Sequence, residues 1–440
     1  MSGENDAEFT GLPGVLWDPR IEAYRAPGHR YALLRDALLR AGVAVIDRVR
    51  GNVGPPVTDW AAVELRPYRA MALSAWELAE RRGLVALPTG AGKTRLAMAA
   101  MARLRCRTLC LVPTRVLVEQ WRHALAEFYP SPLGQYGDGR RDIEAVTVAT
   151  FASAFHHMEI LGNRFDLLVV DEAHHFGGGA PDEALELCAA SWRLGLTGTP
   201  PDDAQRRDRL GELIGPVVCR QRVADLVGDY LAPLRIVSLA LDLNAAERCA
   251  YEAEVEVYSP VVRHFFRYAP RTSWRDFQRA AVRSDEGRRA LAAWRRSRNL
   301  LALTEGKREA LARLLASHRN QRLLIFTGSN LAAYAIAREQ GVTPVTSDIG
   351  RAERREALER FRSGELRSLV SAQVLNEGID VPDAEVAILV GGRLGPREYL
   401  QRVGRLLRPG PNKEALVYEL VTRDTHEVRS AARKRRELGS

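Results

Sequence analysis

The sequence predicts two α/β lobes, each a parallel sheet covered by helices, with a small unit before them and a helical element between them. Three features point that way. At 440 residues the chain is long for a single hydrophobic core. Short apolar runs alternate, in two separate sets, with segments of helical period, as in parallel sheets buried on both faces. Between the two sets, residues 241–303 are helical in pattern, rich in arginine and without a strong strand.

Taken in order, residues 1–58 form the small N-terminal unit, which ends in the turn-rich stretch from Gly51 to Pro56. Residues 59–240 form the first lobe. Its expected strands are Leu84–Leu87, Leu109–Val112, Ala145–Val148, Leu167–Val170 and Leu194–Leu196, with helices over Arg95–Leu104 and Leu117–Phe128. Residues 304–440 form the second lobe, with strands expected at Leu323–Phe326, Val342–Val345, Ser368–Val370, Val386–Val390 and Ala415–Leu420.

Composition bounds the function. The chain is 46% hydrophobic, and no apolar run reaches the roughly 18 residues that span a bilayer. The first residues carry acids and no apolar signal core, so a cytoplasmic, nucleoid-associated protein with no membrane partner is expected. Five cysteines without a C-x-x-C pair argue against zinc or a disulfide framework. The net charge of +9 favours an anionic partner. Most of that excess lies in residues 261–300, which hold eleven arginines against three acids. Phe265, Phe266, Tyr268, Trp274, Phe277 and Trp294 are interleaved with them. Such a mixture reads either as a strand-gripping surface or as the core of a small helical domain with solvated arginines.

Three motifs carry chemistry. Pro88, Thr89, Gly90, Ala91, Gly92, Lys93 and Thr94 follow an apolar strand and precede a helix. Glycines there let backbone N–H groups close around phosphates, and the helix N-terminus favours anions. Lys93 would reach the β- and γ-phosphates of ATP and Thr94 a magnesium ion. Asp171 and Glu172 end the run LLVV. The first could hold Mg2+; the second could polarise the attacking water. Arg405 and Arg408, three apart in Gln401–Arg408, suit arginine fingers that neutralise transition-state charge.

These motifs, with Thr197-Gly198-Thr199, resemble superfamily 2 helicases and, more closely, the XPB family of DNA-repair helicases in its compact archaeal and bacterial form. Stretches alike in detail run from Gly14 to Pro27, Leu65 to Tyr68, Leu161 to Phe165, Val370 to Asp383 and Pro396 to Arg405. The resemblance covers nearly the whole chain. It implies a damage-recognition-like N-terminal domain, two RecA-like motor lobes, and a thumb-like element at 241–303. It implies an ATP-dependent 3′–5′ DNA helicase or translocase of DNA repair. It further implies that Gly378 and Asp380 couple nucleotide to the second lobe, that Gln401 meets the γ-phosphate or its water, and that Thr197 and Thr199 link hydrolysis to movement. Pro113, Thr114, Arg115, Thr150, Thr327 and Ser371–Gln373 would touch the DNA backbone, and the thumb arginines, Arg271, Arg275 and Arg279 among them, would grip it. Related archaeal proteins imply a nuclease partner.

The chain departs from the family at three places. Arg69 stands where the family has an adenine-reading glutamine, and an arginine lacks the amide's paired donor and acceptor. Asp202, Asp203 and Ala204 stand where the family has an R-E-D triplet tied to strand separation. The T-A-T motif reads T-G-T, followed by Pro200. Two rival readings therefore stand beside a helicase: a duplex translocase without unwinding activity, and an ATP-switched DNA-binding scaffold for a nuclease.

Overall fold

The computed structural model of the chain describes residues 12, 14–49, 57, 59–201, 203–270, 272–372, 384–391 and 414–438. The expectations for Asp202, Arg271, Gln373, Gly378, Asp380, Gln401, Arg405 and Arg408 lie outside these residues. The chain divides into two compact units, Met1–Arg222 and Val223–Ser440.

The first unit opens on a hairpin of β1 (Leu16–Asp18) and β2 (Ala23–Arg25), then a 3-10 turn (Gly28–Arg30) and α1 (Tyr31–Arg40). α2 (Pro67–Leu78) starts with proline at its first turn, where no intrahelical N–H is needed. Then come β3 (Arg82–Ala86), α3 (Lys93–Leu104), β4 (Thr108–Val112), α4 (Arg115–Ala126), β5 (Leu133–Gly137), β6 (Arg140–Asp142), β7 (Val146–Thr150) and α5 (Phe151–Leu161). The unit ends with β8 (Leu167–Val170), α6 (Asp182–Leu187), β9 (Trp192–Thr197), α7 (Ala204–Leu213) and β10 (Val217–Arg220).

These strands form one sheet in the order β10-β3-β9-β8-β4-β7-β5-β6, parallel throughout except for β5 with β6. Every residue of β4, β7 and β8 is buried, as a parallel sheet covered on both faces requires. The sequence pattern missed β5. Its glycines hide it, and Gly134 is needed because a Cβ there would sit 2.4 Å from Thr147 Oγ1 on the neighbouring strand.

The second unit begins with β11 (Leu234–Leu241) and three helices, α8 (Ala245–Tyr268), α9 (Trp274–Ala281) and α10 (Asp285–Ala302). It continues through α11 (Glu305–Ser317), β12 (Leu323–Thr327), α12 (Asn330–Gln340), β13 (Thr343–Val345), α13 (Arg351–Ser363), β14 (Ser368–Ser371), β15 (Val386–Val390), β16 (Ala415–Thr422) and α14 (His426–Leu438). The sheet order is β11-β16-β15-β12-β14-β13, all parallel.

One boundary needs correction. The first lobe was expected to run to residue 240, but β11 pairs along its full length with β16, from Leu234 opposite Ala415 to Leu241 opposite Thr422. It therefore belongs to the second sheet. The strand before it in sequence, β10, lies in the first sheet, and only the pairing reveals where β11 sits. The stretch 241–303 is helical as expected. Its aromatics are mostly a core: Phe277 is fully buried with Ala281 and Leu291, against Phe265, Phe266 and Trp274. Tyr268 is the exception, exposed at the end of α8.

Candidate nucleotide site

β3 delivers the chain into the glycine-rich loop and α3 carries it away. Gly90 and Gly92 have φ of +85° and +79°, a turn that glycine adopts without a Cβ penalty. Gly92 is the N-cap of α3, so the first free N–H groups of a twelve-residue helix face the loop. Pro88 and Ala91 are buried, Thr89, Lys93 and Thr94 half-buried, and Gly90 exposed. Lys93 Nζ donates to the Leu87 carbonyl at 3.4 Å, a long bond that a phosphate oxygen can replace.

Arg69 is not presented as an isolated base-stacking group. Its Nε donates to the Ala91 carbonyl at 2.8 Å and to the Tyr68 hydroxyl at 2.9 Å, and Tyr68 in turn donates to the same carbonyl at 2.7 Å. Its guanidinium packs so closely on Gly92 that a Cβ there would lie 2.7 Å from Cζ. Arg69 and Tyr68 thus brace the phosphate loop.

The carboxylate pair stands at the end of β8. Asp171 is buried; its Oδ2 accepts from Trp121 Nε1 and its Oδ1 from the Glu172 N–H, each at 2.9 Å. Burial, with the adjacent Glu172 charge, pushes the Asp171 carboxyl up to about 6. Burial also works against the Glu172 charge, but the Lys93 ammonium and the His174 ring outweigh it and hold Glu172 below the usual carboxylate range. His174 Nδ1 lies 3.3 Å from Glu172 Oε2 and 3.2 Å from Thr197 Oγ1. Thr197 Oγ1 donates to the Thr199 carbonyl at 3.0 Å. A chain of polar contacts therefore runs from the water-activating candidate to the T-G-T motif.

Sheet topology explains why these residues meet. β3, β9, β8, β4 and β7 are parallel neighbours, so their C-terminal ends share one edge. That edge collects the phosphate loop, Thr197–Thr199, Asp171 and Glu172, Pro113–Arg115 and Thr150. The donor set suits a hard divalent cation: one carboxylate, Asp171, whose charge is under strain from its neighbour, and the Thr94 hydroxyl beside Lys93.

Several expected DNA contacts are placed differently. Thr114 caps α4, its hydroxyl accepting from Leu117 N, and Arg115 beside it is exposed and pairs with Asp138. Thr150 does not offer a free hydroxyl: it is buried, caps α5 by accepting from Ser153 N at 3.1 Å, and donates to Ser153 Oγ at 2.8 Å. Thr327 is fully buried and donates to the Ser329 carbonyl at 3.0 Å. Both hydroxyls are consumed by local turns, as short polar side chains at strand ends often are. Arg275 and Arg279 are exposed on α9, Arg279 near Asp276 at 3.6 Å. The sequence reading overlooked Trp121 and Tyr68. Trp121 falls on the apolar stripe Val118, Trp121, Leu125, which reads as core.

The fold and this edge define a P-loop motor of the helicase class. Residues 62–202 match the type III restriction enzyme res subunit family, residues 306–410 the helicase conserved C-terminal domain, and residues 2–49 the Xeroderma pigmentosum group B helicase damage recognition domain. The chain is 35% identical over 426 residues to a DNA 3′-5′ translocase XPB2 of Sulfurisphaera tokodaii, covering 96% of each. It is 31% identical to a DNA 3′-5′ helicase XPB of Kineococcus radiotolerans, covering 86% of this chain and 63% of that one. The helicase domain of Hef from Pyrococcus furiosus shares the fold, with a TM-score of 0.56, 18% identity, and coverage of 84% of this chain and 98% of that one. The chain belongs to the XPB family of helicases.

Proposed function

We propose that this chain is a DNA-dependent ATPase that moves 3′ to 5′ along DNA and acts in DNA repair. The observation that carries the reading is the single sheet edge on which the phosphate loop, the Asp171–Glu172 pair and the N-terminus of α4 meet. The backbone N–H groups at the start of α3 and the Lys93 ammonium bind and orient the ATP phosphates. Asp171 and Thr94 hold Mg2+, which when bound neutralises charge on phosphate oxygens. Glu172, kept ionised by Lys93 and His174, orients and polarises the attacking water. His174 and Thr197 pass the state of that site to Thr199. Gln401, Arg405 and Arg408 act on the γ-phosphate, and Gly378 and Asp380 couple it to movement, by likeness to the family motifs. Arg115 and the exposed thumb arginines hold the strand through phosphates.

Within this class, translocation without unwinding is favoured by one observation. Asp203, in the position of the family's strand-separation triplet, is the N-cap of α7 and accepts from Arg206 N at 2.8 Å. The residue serves a helix end. A nuclease partner and a nucleoid location follow from the same family reading; among the described residues no helix is long and apolar enough to cross a membrane.

The test is steady-state ATP hydrolysis without nucleic acid and then with single-stranded DNA, duplex, forked DNA and RNA, beside triplex-displacement and fork-unwinding assays. DNA stimulation with triplex displacement and little fork unwinding is the expected result. Equal stimulation by RNA would point to an RNA motor, and a single turnover on DNA to an ATP-switched scaffold.

A further inference from the structure

The lobe has two fully buried tryptophans whose indole N–H groups find different partners. Trp76 donates to a backbone carbonyl, that of Arg193, at 2.9 Å. This is the ordinary way to satisfy a core indole. Trp121, 1% exposed, donates instead to Asp171 Oδ2, on the carboxylate assigned to the metal. A hydrogen bond to a buried ionised oxygen is stronger than one to a neutral carbonyl, and it fixes the rotation of the carboxylate.

Trp121 rides on α4, whose other end is the candidate strand contact. Thr114 caps this helix and Arg115 is its first residue, exposed and paired with Asp138. Trp121 lies six positions after Arg115, about 9 Å along a rigid helix. Val118, Trp121 and Leu125 seat the helix on the sheet, and Asp171 N is bonded to the Leu111 carbonyl of the adjacent strand at 2.9 Å. A shift of α4 under a bound phosphate therefore moves the indole relative to a carboxylate that the sheet holds still.

We propose that Trp121 is a positioning residue that couples strand occupancy at the N-terminus of α4 to the orientation of the Asp171 carboxylate. The inference rests on the reading of Thr114 and Arg115 as a strand contact. It assigns to one core side chain a route by which DNA stimulates hydrolysis.

Trp121→Phe keeps most of the ring volume and removes the donor. The expected result is a roughly tenfold weaker Mn2+ affinity in the presence of a non-hydrolysable ATP analogue, the loss of a charged hydrogen bond. The ratio of DNA-stimulated to DNA-free hydrolysis should fall by a similar factor, while DNA affinity and melting temperature stay near wild type. In 15N-indole-labelled wild-type protein, free of nucleotide and metal, DNA should shift the Trp121 indole resonance. That resonance is the one missing from Trp121→Phe, or, should that variant not fold, the one moved in Asp171→Asn. Arg115→Gln separates the two readings. If it leaves DNA affinity unchanged, the strand contact is wrong and the coupling goes with it. If it weakens DNA binding, yet DNA leaves the Trp121 resonance unmoved or Trp121→Phe keeps the wild-type stimulation ratio, Trp121 is only a core residue.

Discussion

Glu172 adopts φ +50° and ψ +46°, a left-handed conformation that costs a non-glycine residue about 1–3 kcal/mol. Its surroundings impose it: the N–H is held by Asp171 Oδ1 and the carbonyl accepts from His175 N. The return is a carboxylate turned toward Lys93 and His174. Glu172→Gln preserves the shape and removes the charge, so ATP binding should persist while turnover on saturating DNA falls by roughly 10²–10⁴. Near-normal turnover would remove Glu172 from its role. A second residue-scale outcome concerns His29, 4% exposed in the turn that packs on the end of α6. A Cβ on the adjacent Gly28 would strike the Leu187 carbonyl at 2.4 Å, so the approach is tight. Burial, then the charges of Arg193, Arg30, Arg82 and Arg209, hold the His29 ring down to about 4. In the unfolded chain the ring takes a proton near pH 6.5, so between about 6.5 and 4 the unfolded state binds more protons. The first unit should therefore be fully stable above that window and lose stability as pH falls through it. His29→Leu should flatten that part of the stability–pH curve, and parallel wild-type and variant curves would refute the assignment.

At the scale of elements, a helix or turn takes its role from what it packs against. α9 has a capping box at Ser273 and Asp276, and its aromatic side turns inward through Trp274 and Phe277. Its polar side carries Arg275 and Arg279 outward. The aromatics thus form the packed side, and Arg275 and Arg279 are left on the exposed side. Replacing Arg271, Arg275 and Arg279 with Gln should lower the salt slope of DNA affinity by roughly 0.7–0.9 for each lost contact. Asp276 neutralises part of Arg279, so a loss of two contacts is expected. DNA-free hydrolysis should not change. An unchanged slope in a variant with a normal melting curve would show that these arginines are solvated only. Arg193 shows the opposite use of the same residue type. It is fully buried, and its guanidinium closes the open carbonyls of Leu185, Cys188, Ala190 and Leu213. Nothing in its sequence neighbourhood separates it from the exposed arginines, because its partners come from α6, α7 and the loop before β9.

For the whole molecule, two units with separate cores imply that unfolding need not be one transition. Lys307 offers a handle on the second unit. It is fully buried, bonded through Nζ to both oxygens of Glu427 at 2.9 and 2.7 Å and to the Leu301 carbonyl at 2.5 Å. Thr422 N donates to Glu427 Oε2 at 3.0 Å, and a Cβ on Gly391 would lie 2.4 Å from Nζ. The pair thus joins α10, α11, β16, α14 and the end of β15. Lys307→Met should strand a buried carboxylate and cost the second unit about 3–5 kcal/mol, while Lys307→Met with Glu427→Leu recovers much of it. In denaturant unfolding, ADP, which lacks the γ-phosphate assigned to second-unit residues, should raise the first unit's transition more than the second's, which identifies it. Equal losses in the single and double variants would show that the pair acts by packing alone.

The sequence by itself determined the two sets of parallel strands and the nucleotide motifs. Both are written in local signals: unbroken apolar runs, glycines at a strand–loop–helix junction, and a pair of carboxylates at a strand end. Their function needs little more than their order along a parallel sheet, which puts every strand end on one edge. Only the tertiary structure decided that β11 crosses into the second sheet, because strand pairing is a long-range choice. It turned Thr150 and Thr327 inward, since a hydroxyl at a helix cap or a strand end satisfies nearby backbone groups before it can meet a ligand. It moved Arg69 onto the phosphate loop and Trp121 onto Asp171. For Arg69 and Trp121 the residue type was visible in the sequence, but the partner lies tens of positions away, and local pattern carries no record of that distance.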